Sequence, residues 1–415
     1  MKLRVPPKSV LAMAAIAMAL TGCTSTPQTQ GTPGAGATLA PGEGPTLTIW
    51  SYKDTPTSKQ FMSDFEASFT KNHPGVKFKY LLTDFASLRN KVLTGAVSKD
   101  GPDVLIFDPA DTPVLAKAGT IKNITTQWSA FNDKSQFADA LTWKYGNDIH
   151  AVQGYVNTTA LYYNKDTLAA AGITPPTTLD ELNQALIKLK AAGNGGLTIC
   201  GAPLTECETQ AISWILGQGG NYDKLDAPGV KSVLNTFAKW GQDGSIPKDA
   251  VTWKQDDAWK AFSTGKYAFS QAGNWKLASA KELPFKWGVV SLPGAKVSPG
   301  GEGEAIGAFS KNADLAFQYL SETFWSKAGE LAILKAEGSI PARADAAQSP
   351  DVANDANLVA WTKEVQSAGA RPPVKGGDIQ KATTVLGQVW SGVLSGQLSP
   401  DAAISQLKSA TAGLF

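Results

Sequence analysis

The stretch Leu161-Tyr-Tyr-Asn-Lys-Asp166 continues through Ala171-Gly-Ile-Thr-Pro-Pro176 to Leu179-Asp-Glu-Leu182. Its first four residues predict a short strand, and residues 165–171 predict a short helix that Gly172 closes. The two prolines mark a turn, and Leu179 begins a second helix that runs to Ala192. This alternation predicts an α/β fold in which helices cover a sheet.

The residues before this stretch follow the same alternation. Short apolar runs predict buried strands at 47–50 and 104–107, and 76–80 alternates as a half-buried strand. Three phenylalanines at helical spacing predict a helix between the first two strands. The β-α-β-α order favours a parallel sheet, and ligands of such sheets bind beyond the carboxyl ends of the strands. Those ends fall at 50–54 and 108–111.

The residues after the stretch complete the prediction. Strands are expected at 267–270 and 288–293, a glycine-rich loop at 299–302, and mainly helix from Leu315 onward. The chain of 415 residues is long enough for two or three domains.

Composition excludes several functions. Lys+Arg 38 against Asp+Glu 36 leaves a formal charge of +2 and no long basic run, which argues against nucleic-acid binding. Two histidines and three cysteines leave little material for a metal site, and no cofactor motif occurs. The sequence lacks G-x-x-x-x-G-K-[ST] and G-x-S-x-G, so neither an ATPase nor an α/β-hydrolase site is expected. Twelve tryptophans stand out as flat apolar faces.

The first residues predict export. A positive start is followed by an apolar run of 11 residues, Val10–Leu20, which is too short to span a membrane. Leu20-Thr-Gly-Cys23 resembles a bacterial lipobox, which implies cleavage after residue 22 and acylation of Cys23. Residues 24–45 are rich in Gly, Pro and Thr and predict a flexible tether. The alternative is an ordinary secretory signal with a chance cysteine.

Cys200 and Cys207 bracket Gly, Pro and a short polar segment. In an exported protein, a pair this close predicts a disulfide. A metal pair is the alternative, but no third or fourth ligand lies nearby in sequence.

The stretch 161–182 resembles a signature of the family 1 extracellular solute-binding proteins of bacterial ABC importers. Four further motifs support the resemblance: Phe262-Ser-Thr-Gly-Lys266, Gly273-Asn-Trp275, Gly301-Glu-Gly303 and Ile340-Pro-Ala-Arg343. The maltose-binding protein is the familiar member. The resemblance implies two α/β lobes, each a mainly parallel sheet flanked by helices, joined by crossing strands with the ligand between them. It places crossings near 155–160, 300–306 and 350–357.

This resemblance implies the following domain boundaries: signal peptide 1–22, lipidated Cys23 and tether 23–45, first lobe 46–155 and 306–355, second lobe 156–305 and 356–415.

A sugar offers apolar C–H faces and a ring of hydroxyls, so its site needs aromatic platforms beside carboxylates and amides. The predicted platforms are Trp50, Trp214 and Trp275, whereas Trp128, Trp240, Trp325 and Trp361 are expected to be structural. The predicted polar contacts are Asp84, Asp108, Tyr155, Asn157, Asn274, Glu302 and Arg343. Asp84 and Asp108 could instead cap helices, Glu302 could be a solvated loop charge, and Arg343 and Arg371 could pair with acids.

Three functions remain open at this stage. The first is a monomeric, lipid-anchored carbohydrate-binding component of an ABC importer, with no enzymatic activity, serving permease subunits and a separate ATPase chain. The sugar is expected to be a di- or oligosaccharide, and the site to face the periplasm or the cell exterior. The second is the same fold with a non-sugar solute such as a polyamine, phosphodiester or peptide. The third is a secreted glycoside hydrolase, which needs two carboxylates about 5–10 Å apart.

Overall fold

The computed structural model describes residues 44–369, 372 and 379–415, with only the backbone described at 85 and 86. The predicted signal peptide, the predicted lipidated cysteine Cys23, almost all of the predicted tether, and Arg371 lie outside these residues. None of the described helices is long and apolar enough to span a membrane.

The described part of the chain contains ten strands, which form two sheets. The strands are β1 (Thr46–Ser51), β2 (Lys77–Leu82), β3 (Val104–Phe107), β4 (Thr142–Tyr145), β5 (Asp148–Asn157), β6 (Thr159–Asn164), β7 (Gly195–Thr198), β8 (Tyr267–Gly273), β9 (Trp287–Val290) and β10 (Gly300–Ile306). A six-stranded sheet has the order β2-β1-β3-β10-β5-β4, and a four-stranded sheet has the order β7-β8-β6-β9.

Helices connect the strands and cover both sheets. They are α1 (Pro56–Asn72), α2 (Phe85–Ser98), α3 (Thr112–Lys117), α4 (Thr125–Ala130), α5 (Lys165–Ala170), α6 (Leu179–Ala191), α7 (Thr205–Gly217), α8 (Pro228–Asp243), α9 (Gln255–Ser263), α10 (Leu277–Ala280), α11 (Ala313–Glu322), α12 (Lys327–Glu337), α13 (Ala344–Ala347), α14 (Pro350–Ala353), α15 (Ala356–Gln366), α16 (Gln380–Ser395) and α17 (Pro400–Thr411).

The strands and helices predicted around residue 161 are confirmed. The helix predicted from Leu179 is α6, and Thr178 begins it with a capping box: its side chain accepts from the backbone N–H of Glu181, whose carboxylate accepts in return. The three phenylalanines of α1 pack in the core beneath the six-stranded sheet. Local pattern and tertiary packing therefore agree in this part of the chain.

The sheets are mixed. β1 pairs in parallel with β2 and β3, as the β-α-β-α order predicts. β10 runs antiparallel to both β3 and β5, and in the smaller sheet only β7 and β8 are parallel. The antiparallel strands include those next to the crossings, where the chain returns from one sheet to the other.

The chain crosses between the sheets at Thr158, between the end of β5 and the start of β6, within the predicted first crossing. The loop predicted at 299–302 is wrong, because Gly300, Gly301 and Glu302 pair with β5 and begin β10. Gly301 has φ +103°, and a Cβ there would lie 2.4 Å from the carbonyl oxygen of Tyr155. β10 lies wholly in the six-stranded sheet.

The predicted disulfide is confirmed. Cys200 and Cys207 are bonded, with their Cα atoms 5.1 Å apart. Cys207 lies in the first turn of α7, so the bond fixes the start of this helix to the segment that follows β7. The four tryptophans predicted to be structural are all buried.

Candidate functional site

A cavity of about 650 Å³ opens between the six-stranded sheet and the helices that cover the four-stranded sheet. Its lining contains polar and charged side chains together with three aromatic residues, two prolines, one alanine and two glycines. The lining residues are Tyr52, Asp108, Pro109, Ala110, Trp143, Asn157, Thr158, Thr159, Thr205, Glu206, Glu208, Thr209, Gln255, Trp275, Ser298, Pro299, Gly300, Gly301, Glu302, Gln380 and Thr383.

The sheet-side wall is formed where strands of the six-stranded sheet end. Tyr52 follows β1 and Asp108 follows β3, which are parallel neighbours. Asp108 also accepts a hydrogen bond from the backbone N–H of Ala110 (3.0 Å), so it caps the turn after β3. The same residue lines the cavity. These positions agree with the rule that ligands of open α/β sheets bind beyond the carboxyl ends of strands.

Trp143 in β4 gives this wall an aromatic side chain that the sequence did not reveal. Its indole N–H donates to Gln153 Oε1 (2.7 Å), and Gln153 Nε2 donates to the carbonyl of Gly300 (2.9 Å). Gln153 is fully buried, so it holds the indole at a fixed orientation between two neighbouring strands.

Six connected side chains extend from this wall into the protein, and we call them the Lys53 cluster: Tyr52, Lys53, Ser58, Tyr155, Glu302 and Glu337. Lys53 Nζ lies 2.8 Å from Glu337, 3.0 Å from the Tyr155 hydroxyl and 3.4 Å from Glu302. An ammonium group has three N–H donors, so these three partners use them all.

Glu302 and Tyr52 are the members of this cluster that line the cavity. Tyr52 donates to Glu302 Oε1 (3.1 Å), whereas Glu302 Oε2 is buried and has no hydrogen-bond partner in the described residues. Burial raises the pKa of Glu302 to about 7, although Lys53 acts in the opposite direction. The side chain is 5% exposed. Glu302 therefore lines the cavity and contains a buried carboxylate oxygen with no hydrogen-bond partner among the described residues.

Glu337 behaves differently from Glu302. Burial acts to raise its pKa, but hydrogen bonds from Lys53, Ser58 and Tyr155 outweigh burial, so the pKa of Glu337 lies below its ordinary value. The pKa of Lys53 is raised, since the pull of Glu302 and Glu337 exceeds the effect of its burial. Near neutral pH the cluster thus contains a firmly charged Lys53–Glu337 pair beside a carboxyl that titrates.

The helix-side wall is built from the first turns of three helices. Thr205, Glu206, Glu208 and Thr209 come from α7, Gln255 from α9, and Gln380 and Thr383 from α16. Gln255 Nε2 donates to the carbonyl of Glu206 (2.7 Å), which joins α9 to α7. Acidic side chains in the first turn of α7 are favourable because the amino end of a helix carries a partial positive charge.

Trp275 is the aromatic side chain of this wall. It lies in a turn directly after β8 and is 39% exposed. A Cβ on Gly273 would lie 2.2–2.3 Å from three atoms of its six-membered ring, so a ring face covers Gly273. The absence of a side chain at 273 lets the indole lie flat, and its exposed surface contributes to the cavity.

Four predicted contacts lie at the cavity, namely Asp108, Asn157, Trp275 and Glu302. Asn274 lies just behind it: its amide oxygen accepts from the backbone N–H of Thr158 (2.8 Å), and its amide nitrogen donates to Asn157 Oδ1 (2.8 Å) and to the carbonyl of Gly338 (2.7 Å). Its bonding capacity is thus used in tying the first crossing to the end of α12.

The remaining predicted contacts lie outside the cavity lining. Trp214 is fully buried, with its indole N–H donating to Gln271 (2.8 Å), so we drop it as a platform. Trp50 is 9% exposed and packs in a small core. Asp84 caps α2 through the backbone N–H of Ser87 (2.9 Å), which is the alternative role considered for it.

Tyr155 and Arg343 are also set back from the cavity. Tyr155 belongs to the Lys53 cluster and donates to Glu337. Arg343 is buried and binds Asp133 (2.9 Å) and Asp345 (2.8 Å), so its guanidinium is satisfied within the protein. Its pairing with acids was one of the two roles that the sequence left open.

Comparison with known proteins establishes the class of protein. The chain matches the family described as "Bacterial extracellular solute-binding protein" over residues 65–360, well over half of its length, and therefore belongs to that family. This membership implies export. The family consists of binding proteins, so the chain is a binding protein and not an enzyme.

A curated relative is the diacetylchitobiose binding protein DasA of Streptomyces coelicolor, 25% identical over 334 residues that cover 72% of this chain and 73% of DasA. Among solved structures, the sugar-binding protein MalE from Xanthomonas citri has a TM-score of 0.78 at 21% identity, covering 88% of this chain and 95% of MalE. The cyclic alpha-maltosyl-1,6-maltose binding protein from Arthrobacter globiformis has a TM-score of 0.76 at 22% identity, covering 89% and 98%. These structural likenesses confirm the two-lobed α/β fold.

Proposed function

We propose that this protein captures a carbohydrate, a di- or oligosaccharide, between its two lobes and delivers it to the permease of a bacterial ABC importer. The observation that carries the proposal is Trp275, an exposed indole held flat on Gly273 at a cavity that also contains Trp143, carboxylates and amides. Indole faces suit the apolar faces of sugar rings, and the polar groups suit hydroxyls.

The similar proteins support the same ligand class. DasA is named for diacetylchitobiose, and the Arthrobacter globiformis protein for a cyclic maltosyl-maltose. A cavity of about 650 Å³ lies in the middle of the range found for small-molecule sites.

The mechanism that we propose is a population shift. Open and closed arrangements of the lobes exchange, and a ligand that touches both walls favours the closed arrangement in proportion to its extra contacts there. The permease would then recognise the closed form. In this scheme the lobes comprise residues 46–155 with about 300–355, and 156–299 with 356–415.

The lipobox at 20–23 supports a further part of the proposal, anchoring through acylated Cys23 on the extracellular or periplasmic face. To test the anchoring, the full chain is expressed in a bacterial host and the cells are fractionated. We expect the protein in the membrane fraction, and we expect mass spectrometry to detect acylation of Cys23. A Cys23→Ser variant should be released, and an unmodified wild-type cysteine would refute anchoring.

The ligand class is tested by thermal shift on residues 44–415, with mono-, di- and oligosaccharides, spermidine and a peptide mixture. A ligand at 100 times its dissociation constant should stabilise the protein by about 2.7 kcal/mol. A raised midpoint with a saccharide supports the proposal. A shift with spermidine alone would favour the polyamine alternative, for which the acidic lining is a specific observation.

A further inference from the structure

Two backbone groups fix the orientation of the Asn274 carboxamide. The backbone N–H of Thr158 donates to its oxygen (2.8 Å), and an N–H group cannot accept. Its nitrogen donates to the carbonyl of Gly338 (2.7 Å), and a carbonyl cannot donate. Exchanging the oxygen and the nitrogen would place donor against donor and acceptor against acceptor. The backbone therefore decides which end of Asn274 carries the N–H bonds.

The orientation of Asn274 determines that of Asn157. The other N–H bond of Asn274 donates to Asn157 Oδ1 (2.8 Å), so the carboxamide oxygen of Asn157 is turned toward Asn274 and its nitrogen points away. This nitrogen takes part in no hydrogen bond with the residues that the structure describes. Asn157 is half-buried and lines the cavity. Its N–H bonds are therefore the polar atoms that Asn157 can offer to a ligand.

The support that Asn274 provides does not depend on a ligand. Asn274 is 1% exposed and follows β8 of the four-stranded sheet. Thr158 lies at the first crossing, and Gly338 directly follows α12, which leads into the segment that pairs with β5 of the six-stranded sheet. Asn274 thus joins the two sheets where the chain crosses between them. A donor that is held in place before binding spares the ligand the entropic cost of ordering it.

We propose that Asn274 is a positioning residue that makes Asn157 a hydrogen-bond donor to the bound saccharide. This inference rests on the proposed carbohydrate function and adds the chemistry of the ligand group at the first crossing. That group is an oxygen that accepts a hydrogen bond, such as a hydroxyl, ring or acyl oxygen. A fully protonated polyamine has no such acceptor. Asn274 itself acts through Asn157 and does not touch the ligand.

The test begins with isothermal titration of N,N′-diacetylchitobiose, cellobiose, maltose, maltotriose and spermidine, and continues with the saccharide that binds most tightly. Asn157→Ala should weaken its binding roughly tenfold, because an acceptor on the ligand loses its donor. Asn274→Asp retains the acceptor for Thr158 but has no N–H bond for Asn157. The Asn157 carboxamide should then turn its nitrogen toward position 274 and its oxygen toward the cavity, and binding should weaken by a similar factor.

The double variant separates positioning from a merely structural role. If Asn274 acts through Asn157, Asn157→Ala/Asn274→Asp should bind the saccharide within about threefold of Asn157→Ala alone. Losses that multiply, to about a hundredfold, would overturn the positioning role.

Asn312→Asp is the matched control. Asn312 does not line the cavity, and its amide nitrogen donates to the carbonyl of Thr46 (3.2 Å) and to Asp103 (3.4 Å). This variant should lower the thermal unfolding midpoint and leave the affinity within about twofold. A loss of affinity equal to that of Asn274→Asp would assign the effect to reduced stability and overturn the inference.

If Asn274→Asp does not fold, the wild-type protein still decides. The side-chain amide signals of Asn157 in a nitrogen-15 NMR spectrum are identified by their absence in Asn157→Ala. Their exchange with water should slow roughly tenfold when the saccharide is bound, and unchanged exchange overturns the inference. A saccharide that binds Asn157→Ala as tightly as wild type also overturns it and leaves the carbohydrate function standing. If only spermidine binds, or no probe binds, both fail.

Discussion

On the sheet side of the cavity, Tyr52 and Glu302 are separated by 250 positions in the sequence and joined by a hydrogen bond. On the helix side, Thr205, Glu206 and Thr209 come from the first turns of one helix, which a local disulfide fixes. The sheet-side wall thus depends on long-range contacts between charged groups, whereas the α7 part of the helix-side wall is fixed by a local disulfide. Substitutions should affect the two walls differently, because only the first depends on buried charges being paired.

The largest effect is expected from Lys53→Met, which leaves Glu302 and Glu337 without their cation. Removing one partner of a buried ion pair costs about 3–5 kcal/mol of unfolding free energy. Urea unfolding at pH 8 should show this loss, and it should shrink at pH 5.5, where Glu302 is protonated. Lys231→Met, which removes an exposed partner of Asp401, should cost less than about 1 kcal/mol. Equal small losses would show that the sheet-side wall does not depend on this pairing.

Trp275→Ala removes the aromatic platform from the helix-side wall. We expect the affinity for the saccharide identified in the screen to fall by roughly 2–4 kcal/mol, while circular dichroism shows an intact fold. Trp287→Ala serves as the control, since Trp287 is a half-buried indole that does not line the cavity. An affinity unchanged in Trp275→Ala would remove this residue from the proposed site.

The disulfide tests the local character of the helix-side wall. Replacing Cys200 and Cys207 by serine should cost about 2 kcal/mol of unfolding free energy, because a short closed loop is released in the unfolded chain. The affinity for ligand should fall as well, since the start of α7 carries part of the lining. Reduction of the wild-type protein should reproduce both losses. Identical affinity in the oxidised and reduced proteins would contradict the link to the wall.

Gly273→Ala tests how Trp275 is positioned. The new methyl group would meet the indole at 2.2–2.3 Å, so the ring must move. We expect about a tenfold loss of affinity and a shift in tryptophan fluorescence. Gly101→Ala is the matched control, because a Cβ there first meets a side-chain atom of Phe309 at 3.8 Å. Unchanged binding in Gly273→Ala would mean that the ring orientation is not important for the ligand.

The smallest effect concerns pH. Burial raises the pKa of Glu302 to about 7 and that of Glu364 to about 8. The unfolded chain releases these protons near pH 4.5, whereas the folded protein keeps them, so stability should decrease as pH rises from 5 to 8. Thermal unfolding should show a midpoint a few degrees lower at pH 8.

Glu364→Gln separates the two contributions. Glu364 lies in α15 and is not part of the cavity lining. Its carboxylate accepts a hydrogen bond from the backbone N–H of Leu292. This variant should lose only part of the pH dependence, because burial also raises the pKa of Glu302, Glu304 and Glu330. A flat profile in Glu364→Gln would show that the Lys53 cluster contributes nothing to it.

Much of the fold was predictable because it depends on local pattern. The spacing of phenylalanines in α1 and the capping residues of α6 define helices without reference to the rest of the chain. The loop predicted at 299–302 failed because two glycines indicate freedom of the backbone but not its hydrogen-bond partner. Here the partner is β5, far away in sequence.

Site residues were predictable from the sequence only where they directly follow a strand whose end lies at the cavity. Asp108 and Trp275 follow directly on strands, and both lie in the lining. Tyr52 falls in the predicted segment after β1 but was not singled out. Trp143 and Gln380 carry no sequence signal, since nothing near them distinguishes a cavity residue from an ordinary surface residue.

The sequence by itself determined the order of strands and helices, the pairing of Cys200 with Cys207 and the resemblance to a family of binding proteins. Only the tertiary structure decided that Trp214 lies in the core and Trp275 at the cavity. It also decided that Lys53 and Glu302 share one buried cluster. The physical reason is that periodicity, caps and short loops act between near neighbours, whereas burial and the state of a charge depend on groups brought together from distant parts of the chain.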